Sequence, residues 1–469
     1  MELTGPQIIS LLKSRLSSQS EYALAADKSE SIGHTRWTTV QAPSFIATVK
    51  PATVEDIQTT VKCATEHNIP FHAVATGHNF SSCYERAQNL LEVDISNLKG
   101  VSIDASASTI TVGGAVLFNE IFDPLHEAGK EMPTGACSTV GIVGVTLGGG
   151  LNRMQGTYGL LLDSLLEVEL VTATGDFVKA SKTENTELFW GMRGAGFNFG
   201  IVMKATYQIY DQQNGGNVMS ADFVLPHNNG PEIIRILQEI HEDQPPELSV
   251  AVGQFYDEKA GGPIMLVNYI YTGDLDEGKR LIQPIIDLGP TLQQIDYLPW
   301  NQINTKWGFG ADATVSIRNM PRTMFSAHVK QLDLPTFEWY FAELARYWEE
   351  YPALRGSVAI IEAWGSQKMA EIPDDETAYP HRDVKCQMII GHQTTDPQLQ
   401  PMVNKWKNEV RERFRATSGF EETKVYVNYA QGDDSQEAMY GARKLERLRA
   451  LKRKWDPNCV FSWYNPIII

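Results

Sequence analysis

The chain has 469 residues, 42% of them apolar and 21% charged, and carries a formal charge of −17. That charge repels a nucleic-acid backbone, and the length exceeds one ordinary core and fits two domains. Neither a basic head with an apolar leader nor a run of about eighteen apolar residues is present, so the reading is a chain off the membrane and in the cytoplasm. Five scattered cysteines, Cys63, Cys83, Cys137, Cys386 and Cys459, form no CxxC pair and argue against a zinc site or a disulfide framework.

Ile8, Ile9, Leu11 and Leu12 mark a first helix, followed by a polar loop to about residue 35. Phe45–Lys50 reads as a strand. Thr53 then caps a helix, with Asp56 in the reciprocal place and Val54, Ile57, Val61 and Ala64 as its apolar stripe. The strand Phe71–Ala75 runs into VATGHNFSSC, Val74 to Cys83, which holds His78. A β-α-β unit with a glycine loop at a strand's end is a common phosphate cradle. Short strands are expected at 89–94, 100–103 and 109–113, and a helix near 118–128.

The run from Gly135 to Gly150, GACSTVGIVGVTLGGG, places Cys137 near its head and closes on three glycines. So many glycines are costly inside a packed element, and they suit main chain that must come close to something flat or anionic. With the His78 loop, this suggests a large cofactor gripped from two sides. A hairpin at 165–180, a short helix at 187–192 and a strand at 201–209 complete the first half. From 215 to 420, strands at 249–255, 265–271, 357–364 and 386–391 alternate with four amphipathic helices, which predicts an antiparallel sheet with one face covered. Lys424–Tyr429 reads as a strand that puts Tyr426 and Asn428 on one face and Tyr429 on the other. A basic helix at 437–454 follows.

Six of these segments, in order, resemble the FAD-linked oxidases of the berberine-bridge-enzyme type, within the vanillyl-alcohol-oxidase flavoproteins. They are Thr76-Gly77-His78, Gly135 to Gly141, Gly148 to Gly150, Tyr158 to Gly200, Tyr426-Val-Asn428-Tyr429 and Lys454 to Phe461. The resemblance implies an α+β fold of two domains. These are a PCMH-type FAD-binding domain at 1–210 and a substrate domain at 211–420 that only selects what meets the cofactor, with a tail at 421–469 returning to the first. It implies bicovalent FAD, with His78 on the flavin 8α-methyl and Cys137 on ring carbon 6. Further cofactor contacts are implied for Thr76, Gly77, Asn79, Phe80 and Ser81 around His78. Around Cys137 they fall to Gly135, Thr139, Gly141, Gly144, Gly148, Gly149 and Asn152, and beyond it to Gly200, Val202, Tyr426 and Asn428.

For chemistry, the resemblance implies hydride removal from a small organic substrate and reoxidation by O2 to give hydrogen peroxide, in fungal secondary metabolism. The alternatives are a dehydrogenase with another acceptor and a non-redox isomerase or cyclase. The catalytic candidates are Tyr426 as base, with Asn428 beside it, and Glu362, which interrupts an apolar strand. Gln387 stands where relatives can place an acid. Tyr84, Trp307 and Trp364 are candidate walls, and Ile142 lies near the place where relatives gate oxygen. Val74 replaces a frequent arginine and Val145 a frequent histidine, so Asn152, Tyr426 or main-chain NH groups are expected to balance flavin charge. No metal-ligand spacing occurs. The partners implied are a small molecule and O2, in a monomer or weak homodimer.

Overall fold

In a computed structural model, which describes residues 3–25, 32–394 and 396–469, three sheets carry the fold. The expected polar loop falls partly on 26–31, outside the described residues. The first sheet holds β1 (Glu21–Leu24), β2 (Phe45–Lys50), β3 (Phe71–Val74) and β4 (Leu90–Asp94) in the order β1-β2-β4-β3. β2 and β3 each run parallel to β4, so a later strand has been inserted between the two strands of the expected β-α-β unit. The helix Val54–Glu66 starts as its sequence dictates. Thr53 Oγ1 accepts from the Asp56 NH at 3.1 Å, and the Asp56 carboxylate accepts from the Thr53 NH at 3.2 Å. Such a cap contributes about 1 kcal/mol. Ile57, Val61 and Ala64 from this helix are buried against Val49, Phe71 and Val93.

Then come β5 (Val101–Asp104), β6 (Thr109–Gly113), β7 (Lys130–Glu131), β8 (Leu165–Val171), β9 (Phe177–Ser181), β10 (Ile201–Gln208) and β11 (Tyr210–Asp211). Five of them form an antiparallel sheet in the order β5-β6-β10-β8-β9, while β7 and β11 pair with each other.

The third sheet is built from β12 (Asn217–Pro226), β13 (Leu248–Asp257), β14 (Gly262–Tyr271), β15 (Leu292–Pro299), β16 (Arg322–Val329), β17 (Val358–Trp364) and β18 (Cys386–Gln393). Its order is β15-β12-β14-β13-β17-β18-β16, antiparallel throughout. The helices Gly230–Glu242, Leu275–Asp287, Leu334–Glu350 and Gln400–Thr417 cover one face, through Ile233, Ile282, Phe337 and Val403 among others. Strands β12, β15 and β16 have no counterpart in the sequence reading. β12 is buried along most of its length, and β16 hides its alternation because Ser326 and His328 occupy buried positions.

The tail also differs from expectation. Val427–Tyr429 is a single 3-10 turn that joins no sheet, so Tyr426, Asn428 and Tyr429 all reach the same cavity. Beyond it the helix Ala442–Trp455 buries Leu445, Leu448 and Leu451 in the core that holds Leu188 and Phe199. Its Lys452, fully buried, donates to Asp456 Oδ2 at 2.6 Å and to the Asn198 and Phe461 carbonyls at 2.9 Å. Among the described residues no helix is long and apolar enough to cross a membrane.

Two histidines outside the cavity are held neutral by burial. His381 Nε2 lies 2.9 Å from the Ala438 carbonyl and 3.1 Å from that of Val425, and burial brings this imidazole down to about 4. His392, packed against Phe325 and Trp406, is brought down to about 3. The unfolded chain binds a proton that these rings refuse. Stability is therefore complete above the ordinary histidine value of about 6.5 and is lost as pH falls toward the folded values. We expect pH-dependent denaturant titrations to show a slope near pH 5 that is shallower in His392→Gln by about 1.4 kcal/mol per pH unit.

Candidate functional site

β3 and its following loop, the stretch Gly141–Leu147, the start of β10 and the tail enclose a cavity of about 380 Å³. Its far end is aromatic. Phe71, Tyr84, Phe461, Trp463 and Tyr464 line it, with Trp463 Nε1 donating to the Phe71 carbonyl at 2.8 Å and Tyr84 stacked on Tyr464. Arg36 lies along the wall, its guanidinium 4.9 Å from the Tyr84 ring and donating to the Asn79 carbonyl at 2.6 Å. Among the described residues no carboxylate comes within 4 Å of it.

At the other end His78 and Cys137 meet, with Nε2 and Sγ only 3.6 Å apart. The two loops approach from different elements but converge on one spot of the wall. The imidazole is the third layer of a stack, in which the Arg322 guanidinium lies 3.8 Å over the Trp37 ring and Trp37 lies 5.3 Å from His78 at 23°. Loss of hydration, helped by the charge of Arg318 and then of Arg322, brings His78 down to about 3. Burial therefore favours the neutral imidazole, whose Nε2 faces the Cys137 sulfur.

The triple glycine serves the tail. A Cβ on Gly148 would stand 2.0 Å from Asn428 Oδ1, one on Gly149 2.9 Å from both Tyr379 and Tyr426, and one on Gly150 2.4 Å from Leu161. With no side chains there, the tail descends onto main chain. The Tyr426 oxygen accepts from the Gly150 NH at 2.9 Å, the Leu151 NH at 3.3 Å and Asn428 Nδ2 at 2.8 Å. Asn428 Nδ2 also donates to the Val145 carbonyl at 2.9 Å.

The uncovered face of the third sheet carries a polar row in a single register: Asp222, Asn268, Ala251, Glu362, Gln387 and His328 lie side by side across six strands. Asn268 donates to Asp222 at 2.7 Å and Gln387 to Glu362 at 2.8 Å. Gln387 Oε1 and both nitrogens of His328 have no hydrogen-bond partner. Enclosure raises the Glu362 carboxyl, and its charge in turn helps raise the Tyr426 and Tyr429 phenols, so the row faces the tail. His328 stacks on Tyr426 at 6.3 Å.

The structure thus brings together many of the residues singled out in the sequence. His78, Cys137, Tyr426 and Asn428 line the cavity, as do Thr76, Gly77, Asn79 and Phe80. Gly141, Gly144, Gly200 and Val202 do so as well. Others fall outside its lining. Ser81 donates to the Ala430 carbonyl, Gly135 packs on Phe118, and Thr139 sits behind Cys137. Gly148 and Gly149 lie outside the lining and receive Asn428, Tyr426 and Tyr379. Asn152 is spent on the Gly150 and Gly159 carbonyls and the Met154 NH, so it balances no charge in the cavity. Ile142 is fully buried while Val143 forms the wall, and Trp364 and Trp307 lie outside the lining. The reading missed Trp37, Ser316, Arg318 and the row residues Asp222, Asn268 and His328. Of these only His328 left a trace, as one of two polar residues, with Ser326, that alternate with Phe325, Ala327 and Val329.

A Cβ on Gly144 would meet nothing within 4 Å although this residue lines the cavity, so its bare main chain leaves room for a flat group. An imidazole, a thiol, an aromatic far end and an unpaired arginine fit a large aromatic cofactor with an anionic portion. Residues 45–181 match the FAD binding domain family, and residues 425–468 match the berberine and berberine-like family. The chain belongs to the berberine-bridge-type FAD-linked oxidoreductases. It is 38% identical to the FAD-linked oxidoreductase tazG of Aspergillus terreus, over 92% of this chain and 88% of the relative. To the FAD-linked oxidoreductase azaL of Aspergillus niger it is 37% identical, over 95% of each chain. Its fold is that of the BBE-like 1 protein of Physcomitrella patens, with a TM-score of 0.85 at 22% identity over 98% of this chain and 99% of that one. A xylooligosaccharide oxidase from Myceliophthora thermophila C1, solved with xylobiose, has a TM-score of 0.81 at 23% identity over 98% of each chain. The protein is therefore an FAD-linked oxidoreductase.

The two kinds of glycine separate experimentally. Gly148→Ala forces Asn428 aside and is expected to cost about 1–3 kcal/mol in denaturant titrations. Gly144→Ala is expected to leave that stability unchanged and to lower the flavin absorbance per chain.

Proposed function

We propose that the chain is an oxidase that holds FAD by two covalent bonds, from His78 and Cys137, and takes a hydride from a small organic substrate, with O2 as acceptor and hydrogen peroxide as product. The observation that carries this reading is the 3.6 Å approach of His78 Nε2 to Cys137 Sγ on the wall of a cavity that also receives Tyr426 and Asn428. Arg36, unpaired along the same wall, supports an anionic occupant and supplies the charge that Val74 does not. We assign 1–210 to cofactor binding, 211–420 to the substrate and 421–469 to the closing wall between them. Relatives named as fungal FAD-linked oxidoreductases support a setting in natural-product biosynthesis.

A bound flavin supplies the hydride acceptor. The chain supplies proton handling. Three donors converge on the Tyr426 oxygen, and among the described residues its own proton has no acceptor. That arrangement favours the phenolate, against burial, which pushes the phenol up to about 12. As a phenolate, Tyr426 takes the proton of a substrate hydroxyl or amine while Asn428 keeps the oxygen in place. Glu362, its carboxyl raised and held by Gln387, offers a second proton site on the substrate side.

Acid-denatured protein should stay yellow and carry the added mass of one FAD, and His78→Ala with Cys137→Ala should abolish both signs. A colourless chain would end the covalent reading. Turnover under air should release peroxide, and Tyr426→Phe should lower kcat by about 10²–10⁴-fold with flavin content unchanged.

A further inference from the structure

The two attachment residues are held from outside the first half of the chain. Between β15 and β16 runs a segment, residues 304–321, that lies along both attachment loops as a strap. Asn304 Nδ2 donates to the Gly135 carbonyl at 2.9 Å, Trp307 Nε1 to that of Ala136 at 3.1 Å, and Asp312 Oδ1 accepts from the Ser138 NH at 2.8 Å. Every residue from Gly135 to Ser138 except Cys137 is thus fixed through its main chain. Farther along, Arg318 Nη1 donates to the Thr35 and Thr76 carbonyls at 2.9 and 2.7 Å, and the Val315 carbonyl accepts from Trp37 Nε1 at 2.7 Å. Cys137 is reached by a side chain. Ser316 Oγ lies 3.7 Å from its Sγ, and Thr139 Oγ1 donates to Ser316 Oγ at 3.2 Å. Thr139 Oγ1, itself 3.5 Å from the sulfur, occupies one lone pair of the Ser316 oxygen and leaves the Ser316 hydrogen able to point at Cys137 Sγ.

We propose that this strap sets the Cys137 thiol for cofactor attachment, with Ser316 as the positioning residue. The inference rests on the bicovalent reading above and extends it, because the part of the chain expected only to select substrate also finishes the cofactor. Attachment at sulfur exchanges the thiol hydrogen and one cofactor C–H hydrogen for a C–S bond. The two protons and two electrons released pass to dioxygen, giving hydrogen peroxide. A side chain displaced by about 1 Å can slow such a step about a hundred-fold.

The test uses purified full-length protein, denatured and alkylated with iodoacetamide, then peptide-mapped for alkylated Cys137 and for flavin on the His78 peptide. In the wild type Cys137 should resist alkylation while the other four cysteines react. In Ser316→Ala most chains should be alkylated at Cys137 with flavin still on His78, and Ser316→Thr, which keeps the hydroxyl, should restore protection. Full protection of Cys137 in Ser316→Ala would overturn the inference while leaving the bicovalent reading intact. Equal loss in the alanine and threonine variants would also overturn it, as would loss of both links together. Alkylated Cys137 in the wild type would overturn the bicovalent reading and this inference with it.

Discussion

The molecule depends on a place where side chains are missing. Gly148, Gly149 and Gly150 present bare main chain, and Asn428, Tyr426, Tyr379 and Leu161 pack directly onto it. Residues nearly three hundred positions apart are joined there by hydrogen bonds to backbone NH groups that no bulkier sequence would expose. The contact fixes the Tyr426 oxygen among three donors and brings Asn428 to the Val145 carbonyl. Once the tail is seated, the cavity has its fourth wall.

The same architecture concentrates unmatched charge. Arg36, Arg318 and Arg322 all lie near the cofactor loops, and among the described residues none has a carboxylate within 4 Å. Burial lowers each of these guanidinium groups, that of Arg322 to about 10. Burying unpaired cations is unfavourable in an empty protein and becomes favourable beside an anion. On the other side of the site stands the row containing Asp222 and Glu362, whose carboxyls enclosure raises. Glu92 lines the cavity with Arg36, and Arg153 stands among Glu362, Asp222 and Asp312, so each side carries both signs of charge.

Much of this was legible in the sequence because glycines, caps and spaced nucleophiles are local signals. Thr53 and Asp56 made the helix start readable, and the loops around His78 and Cys137 stood out by composition alone. The purpose of each glycine was not readable, since a glycine that faces a cofactor and one that faces Asn428 look alike in one dimension. The tail misled for a related reason. Tyr-Val-Asn-Tyr alternates like a strand, but it turns through Val427–Tyr429 beside the edge strand β16 and brings both tyrosines to one cavity. Trp37, Ser316 and Arg318 gave no signal because their roles rest on contacts between distant parts of the chain, 278 residues apart for Trp37 Nε1 to Val315 and 179 for Cys137 to Ser316.

Phe461, Trp463 and Tyr464 form the aromatic end of the cavity against Phe71 and Tyr84. The chamber thus takes its walls from both ends of the polypeptide. A chain cut ahead of Phe461 would therefore lose three of the five aromatic residues that close this end.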